Sequence, residues 1–545
     1  MNDHFASLSN SVPRPRERER VAEGRVRAAL LAIFLAAAVA RADVAEKVDA
    51  LFAAYAKPDV PGCAVGVAQG GKIVLEKAYG MANLEHDVPL TPNTIFEAGS
   101  VSKQFTAAAV LTLAADGKLS LDDPARKYLL ELPESAAKVT IRQMLSHTSG
   151  LRDWGTIVSI SGWRRGTRLF THPHVLEVLG RQRELNFAPG TQWSYSNSGY
   201  NLAAMIVERV SGKSFSDFTR ERLFIPNGMT HSSWRDDYTR VVKGRATAYD
   251  PNKDGSFSSD MDFENIYGNC CLLTTVGDLL RWNLNFNGPI REQMQTPTKL
   301  AGGLTTDYGL GLFLGDGGDV YHGGATAGWR AFLIRRPKGD VSIAMLCNRG
   351  DASGGVTEKV ATEFGAPAAP PPAPLAPPVV ATAPDGLYVD KATHAFLRIK
   401  DNAVVRGPKL TPLAADRFRA GRNLELRFEG DTMHMINIHK PEAVYVKMAE
   451  ATAPKLEEYT GAYTSEEVGV TYRMVVENGK LAAKLPPSTT FELDPTYADG
   501  FTAGGTLLHF TRDAKGRVDG VDLKSDVSPG DGSARVERVH FTRGK

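Results

Sequence analysis

Residues 366–384 are dominated by alanine and proline. Proline fixes its own φ and lacks the N–H that a helix or a sheet ladder needs. Such a run reads as a semi-rigid linker, and no single core extends across it. The 545 residues exceed one core in any case, and about three to four units of ordinary size are expected. Before the linker, strand-like and helical patterns alternate. A helix is expected over 44–55, followed by two strands, Cys63–Gln69 and Lys72–Tyr79, whose Gly70-Gly71 junction is a hairpin signal. The middle, roughly 101–287, reads as mostly helical. Strands return at 320, 330–335 and 341–347, and a helix over 357–364 closes the unit. This pattern predicts an α+β unit over 43–365, in which the two ends of the segment supply a sheet and a helical block is inserted between them.

After the linker the chain turns to short alternating runs separated by Gly, Asn and Asp, the pattern of small antiparallel barrels or sandwiches. Two segments, 385–449 and 455–545, resemble each other. Gly386-Leu387-Tyr388 opens one and Gly461-Ala462-Tyr463 the other; residues 396–406 parallel 472–485, and Phe418 aligns with Phe501. Two β domains related by duplication are expected.

The formal net charge is +2, and the arginine-rich first 42 residues carry the excess, leaving the body close to neutral. That balance provides no electrostatic footprint for nucleic acid. Arg25 and Arg27 precede an apolar run over 28–40 that ends in Ala40-Arg41-Ala42. A basic flank, a short apolar stretch and a small-x-small site predict a secretory signal over 1–42, longer than export requires, as a start assigned too far upstream would produce. The run is shorter than the roughly 20 residues of a membrane span. The expectation is a periplasmic or secreted protein with no integral membrane association after cleavage; an uncleaved anchor is the alternative. Cys63, Cys270, Cys271 and Cys347 show no zinc spacing, so no metal is expected, and their pairing stays open.

Three short motifs carry chemistry. Ser100-Val101-Ser102-Lys103 lies just before an almost wholly apolar stretch, 104–115, that reads as a buried helix. Three residues make about one turn, so Lys103 returns to the face of Ser100. Burial disfavours an ammonium, and a neutral amine beside a hydroxyl activates a nucleophile. Alone, the motif equally fits a capping serine and a lysine reaching solvent. Tyr195-Ser196-Asn197 sits in a polar turn, where a tyrosine can relay a proton and an asparagine amide can hold both a substrate carbonyl and the lysine. His322-Gly323-Gly324-Ala325 ends a strand-like run; its small residues let substrate backbone lie close, and its amides suit an oxyanion hole.

Taken together, in this order and context, these motifs resemble the serine β-lactamase/penicillin-binding-protein superfamily, with class C β-lactamases and their relatives closest. Residues 96–103 (FEAGSVSK), 144–151 (MLSHTSGL), 189–197 (PGTQWSYSN) and 308–312 (YGLGL) share the likeness, which covers the unit before the linker. The resemblance implies Ser100 as the acylated nucleophile, Lys103 as its base and Tyr195 as the second acid/base. It implies Asn197 as the positioning amide, His322 at the third motif beside Gly324, and the Ser100 and Ala325 amides as the oxyanion hole. His147 and Ser149 are expected to be structural.

Many members of the superfamily carry lysine where His322 stands. Histidine is mostly neutral at pH 7, so the attraction for a substrate carboxylate is expected to be weaker. The two β segments match the layout of D-aminopeptidases of this superfamily, in which a loop of the last barrel reaches the active site. Residues 526–532 (DVSPGDG) are the acidic candidate for such a loop, an ordinary hairpin being the alternative. The leading expectation is an exported serine hydrolase acting on small D-amino-acid-containing peptides or amides, with no cofactor. A carboxylesterase, a β-lactamase, or a non-enzymatic penicillin or peptidoglycan-fragment sensor are the alternatives. Oligomeric state is not readable.

Overall fold

Strand Cys63–Gln69 is the second strand from one edge of a six-stranded antiparallel sheet, between the edge strand Lys72–Tyr79 and Val341–Cys347; Trp329–Arg336, Val320–Thr326 and the short Phe313–Leu314 follow toward the other edge. The computed structural model describes residues 43–163, 166–367, 379–421, 423–451, 454–527 and 534–544. The expected leader, most of the linker and most of the expected 526–532 loop lie outside the described residues. The sheet is assembled from both ends of the catalytic unit, with the helical block between them. Gly70 and Gly71 both adopt positive φ, +60° and +73°, as a two-residue hairpin turn requires.

The strands alternate between two cores. Val65, Val67, Ile343 and Met345 face a cluster with Val48 and Phe52 of the first helix and Val360 of the last. Ala64, Ala68, Ala344 and Leu346 face the helical block, where the helix Val276–Asn285 packs. Deepest in that block lies the helix Lys103–Ala115, buried on all sides from Lys103 to Leu113. Its polar residues find internal partners: Gln104 Oε1 accepts from Trp282 Nε1 at 2.8 Å, and Thr106 donates to the Gly268 carbonyl at 2.7 Å.

Each C-terminal segment forms eight strands in the same meandering order. In the second, Gly461–Ser465 through Ala534–Arg543, the last strand pairs with the first and the barrel closes. In the first, Gly386–Val389 through Ala443–Met448, no ladder joins the third and fourth strands; a single bridge, Ala403 to Lys409, and the bond from Leu410 N to the Asn402 carbonyl at 2.9 Å leave the barrel nearly closed. The parallels in sequence fall on equivalent strands: Phe418 and Phe501 both sit in the fifth, and Leu424 and Leu507 both in the sixth. No helix among the described residues is long and apolar enough to cross a membrane.

Two disulfides answer the open question of cysteine pairing. Cys63 and Cys347 are direct cross-strand partners, both fully buried, and join across a sequence separation of 284. Cys270 and Cys271 are bonded to each other. The first bond ties the two ends of this unit across adjacent strands of the sheet; in the chain-entropy view, closing so long a loop contributes about 5–6 kcal/mol. The double variant Cys63→Ala/Cys347→Ala is expected to lose about 2–5 kcal/mol of unfolding free energy, read by chemical or thermal denaturation.

Candidate active site

Ser100 lies in a single tight turn, Gly99–Ser102, that feeds directly into the helix beginning at Lys103. The serine therefore sits just ahead of the helix rather than within its first turn, and Lys103 still comes back beneath it. Lys103 is completely buried, and its Nζ donates to Ser100 Oγ, to Asn197 Oδ1 and to the Asn269 carbonyl, each at 2.9 Å. Toward an amide oxygen a lysine nitrogen only donates, so the Asn197 oxygen must face it, and the Asn197 Nδ2 is left for another partner.

The segment that supplies the Asn269 carbonyl is held from several directions. Leu272 N donates to Ser102 Oγ at 3.1 Å, and Ala98 N donates to the Leu272 carbonyl at 2.8 Å. Arg235, itself buried, reaches Glu97 through Nε at 2.8 Å and Nη2 at 3.2 Å, and Cys271 Sγ through Nη2 at 3.0 Å. Glu97, Cys270 and Cys271 place their ligand atoms within 4.8 Å of one another. The sulfurs are joined to each other and Glu97 is held by Arg235, so this group offers no ready metal-ligand set.

Tyr195 comes from the loop before the helix Ser198–Ser211. Its ring lies 4.7 Å from Lys103 Nζ and 4.4 Å from the His147 ring. Burial raises the phenol to about 12, against the lowering effects of hydrogen bonding to Ser100 and of the Arg535 charge. Asn197 is fixed through its backbone N–H, which donates to Asp153 Oδ2 at 2.7 Å.

His322 points inward from strand Val320–Thr326 and is buried. Its protonation follows from its partners. His322 Nδ1 lies 2.6 Å from the Gly323 carbonyl, an acceptor only, so Nδ1 carries the proton. Nε2 then accepts from Tyr308 Oη at 3.2 Å. Tyr308 in turn receives His147 Nε2–H at 3.2 Å, and His147 Nδ1 accepts from Ser196 N–H at 3.2 Å. With both histidines neutral, every donor in this chain meets an acceptor, and Tyr308 also hydrogen-bonds Tyr200. Burial, with the nearby Lys103 charge, lowers His322 to about 3, and the same causes hold His147 well below its ordinary value. His147 thus buttresses the Tyr195 loop.

The strand bearing Gly324 and Ala325 presses against the Ser100 turn. A Cβ on Gly324 would stand 2.1 Å from the Ala98 carbonyl and 3.0 Å from Ser100 N; one on Gly99 would meet Ala325 N at 2.7 Å. Only glycine permits this approach, and it brings the Ser100 and Ala325 amides to the same edge of the site.

All seven residues singled out from sequence, Ser100, Lys103, Tyr195, Asn197, His322, Gly324 and Ala325, converge here. Tyr308 appeared there only as part of a motif, and its linking role needs the two histidines in space. Asn269, Asp153 and Arg235 sit in no motif and gave no signal. Neither did the barrels' contributions. His439 of the first barrel stacks on Trp193 at 4.5 Å, accepts Trp193 N–H at its carbonyl at 2.6 Å, and pairs with Asp307 at 2.9 Å. Arg535 of the second lies 5.5 Å from the Tyr195 ring.

The Beta-lactamase family model matches residues 48–364. A D-aminopeptidase of Brucella canis is 26% identical over 499 residues, covering 85% of this chain and 93% of that protein. The octameric penicillin-binding protein homologue from Pyrococcus abyssi superposes with a TM-score of 0.51 at 19% identity, over 92% of this chain and 99% of that one. SurE superposes with a TM-score of 0.52 at 20% identity, over 93% and 100%. These two likenesses concern the fold and extend over both barrels. With the family match spanning more than half of its length, the chain belongs to the β-lactamase family and is a serine hydrolase with two eight-stranded β units behind its catalytic unit.

Proposed function

We propose that the protein is an exported hydrolase that cleaves D-amino-acid-containing peptides or amides through an acyl-enzyme on Ser100. The observation that carries this reading is the set of partners around Lys103. Asn197 Oδ1 and the Asn269 carbonyl are obligate acceptors, and they occupy the two N–H bonds of a neutral amine. Ser100 Oγ is the third partner of Nζ, at 2.9 Å; once the ammonium gives up the proton on that side, its lone pair turns to Ser100 and can take the hydroxyl proton. The serine oxygen adds to the substrate carbonyl carbon, the π pair moves to oxygen, and the Ser100 and Ala325 amides receive that oxyanion. The proton held by Lys103 returns through the Tyr195 phenol to the leaving nitrogen, so the C–N bond breaks and a neutral amine departs. Water then repeats the sequence on the ester, regenerating Ser100. Asn197 Nδ2 is available to the substrate's own amide carbonyl.

The D-amino substrate class is supported by the likeness to the Brucella canis D-aminopeptidase over nearly its whole length. Export is supported by the leader pattern over 1–42 and by the paired state of all four cysteines, since disulfides persist chiefly in oxidising compartments. A second reading, carboxylester hydrolysis, is favoured by the neutral His322, which offers no fixed charge to a substrate carboxylate.

D-Alanine p-nitroanilide is expected to release nitroaniline faster than nitrocefin opens; brisk cleavage of a p-nitrophenyl ester with no anilide release would establish the esterase reading instead. Ser100→Ala should lower any such rate by roughly 10⁴-fold or more and abolish the fluorophosphonate adduct seen by intact mass. Because both histidines are already neutral, the rate profile should show no histidine inflection between about pH 5 and 8. Tyr308→Phe leaves two buried histidine nitrogens unpaired; it should cost about 1–3 kcal/mol of stability in denaturation and lower kcat.

A further inference from the structure

The last barrel contributes more than a docking face. Its final strand, Ala534–Arg543, begins against the catalytic unit and is fastened there by backbone. The Arg535 carbonyl accepts from Asp153 N at 3.1 Å and from Asn186 Nδ2 at 2.9 Å, while Glu537 N donates to Asn186 Oδ1 at 2.9 Å. One asparagine thus clamps two positions of the strand, and the same Asp153 anchors the backbone of Asn197 in the site. The clamp leaves Arg535 with its guanidinium carbon 5.5 Å from the centroid of the Tyr195 ring, on which Lys103 Nζ already stands at 4.7 Å.

Among the described residues, the polar groups near Tyr195 come from several elements. Lys103 comes from the buried helix, His147 from the loop after the helix Ile141–Leu145, and His322 from the sheet. Asp153 lies beside the 195–197 loop, and the Tyr200 and Tyr308 phenols complete the surroundings. The histidines are neutral and Asp153 opposes ionisation of the phenol. Apart from Lys103, whose own proton is the one in play, Arg535 is the cation facing the ring among these groups. The third-motif position holds an imidazole whose Nδ1 lies 2.6 Å from the Gly323 carbonyl.

We infer that Arg535 supplies, from the C-terminal barrel, the permanent positive charge that steadies the Tyr195 phenol as a proton relay, in the place of a cation at the third motif. It is a positioning residue, acting through Tyr195. A guanidinium keeps its charge at every working pH, so the field it sets is constant where a histidine's would not be. The inference rests on the Ser100–Lys103–Tyr195 reading, and it makes the last barrel part of the chemistry. Because the strand is fastened through main chain at Arg535, replacing the side chain leaves that clamp in place.

The test follows phosphonylation of Ser100 by a fluorophosphonate, in which the serine oxygen displaces fluoride from phosphorus, as the stand-in for acylation; it is read against pH in the full-length protein and needs no knowledge of the natural substrate. In wild type the rate rises as the Ser100–Lys103–Tyr195 unit gives up a proton. Removing the cation raises the phenol's pKa, so Arg535→Met should move that rise to higher pH and slow acylation at pH 7 by about tenfold, the equivalent of one pKa unit. Arg535→Lys should restore most of the rate and return the rise toward its wild-type position. A profile unchanged in Arg535→Met, with wild type acylating normally, overturns the inference and leaves the function reading intact. A loss in both variants alike, with no shift of the profile, marks a merely structural role and also overturns it. Failure of the wild type to acylate at all sinks the function reading, and the inference with it.

Discussion

Lys103 Nζ is shut away from water and holds three oxygens, from Ser100, Asn197 and Asn269, that the sequence keeps far apart. A buried amine is tolerated only where its hydrogen bonds are fully met, so each of those oxygens has to be held in place. Much of the surrounding structure does that work. Asp153 and His147 fix the 195–197 loop. The Ser102 hydroxyl, the Ala98 amide and the Arg235–Glu97 pair fix the 269–272 segment. Breaking such a buried pair by removing one partner costs about 3–5 kcal/mol, so this support is stiff. The apolar helix that begins at Lys103 keeps water away from the amine.

A second consequence of burial is the distribution of charge. The third-motif position is occupied by an imidazole locked neutral between Tyr308 and the Gly323 carbonyl. The two C-terminal units then matter to the site in different ways. The first braces its rim, with His439 stacked on Trp193 and paired to Asp307, next to Tyr308. The second is anchored by a buried Arg152–Glu467 ion pair and by the Asn186 clamp, and brings Arg535 to the Tyr195 ring. A site whose immediate surroundings are largely uncharged is thus flanked by ionic contacts made across domain boundaries.

Several features could be read from the chain because they are local. The hairpin at Gly70-Gly71, the buried helix after Lys103, the doubled β segments and the spacing of Ser100 to Lys103 all follow from short-range periodicity and turn chemistry. Pairs such as Cys63 with Cys347 could not, because register between strands at opposite ends of a 284-residue separation depends on how the inserted block folds. The same holds for Asn269, whose contribution is a backbone carbonyl and carries no residue signature at all.

The sequence by itself singled out the candidate groups: a serine, a lysine one turn on, a tyrosine and an asparagine in a polar loop, and a glycine-rich strand end with histidine in front of it. Those identities are set by local pattern, and local pattern is what side-chain spacing along a helix, loop or strand encodes. Tertiary structure decided the protonation of the two histidines, through a tyrosine between them, and the source of the second cation at Tyr195. Both depend on which atoms from distant segments meet inside a dry cavity, where an unmatched donor or charge is costly. Arg535 in its strand looks like any surface arginine; only the docking of the last barrel onto Asp153 and Asn186 places it beside the phenol.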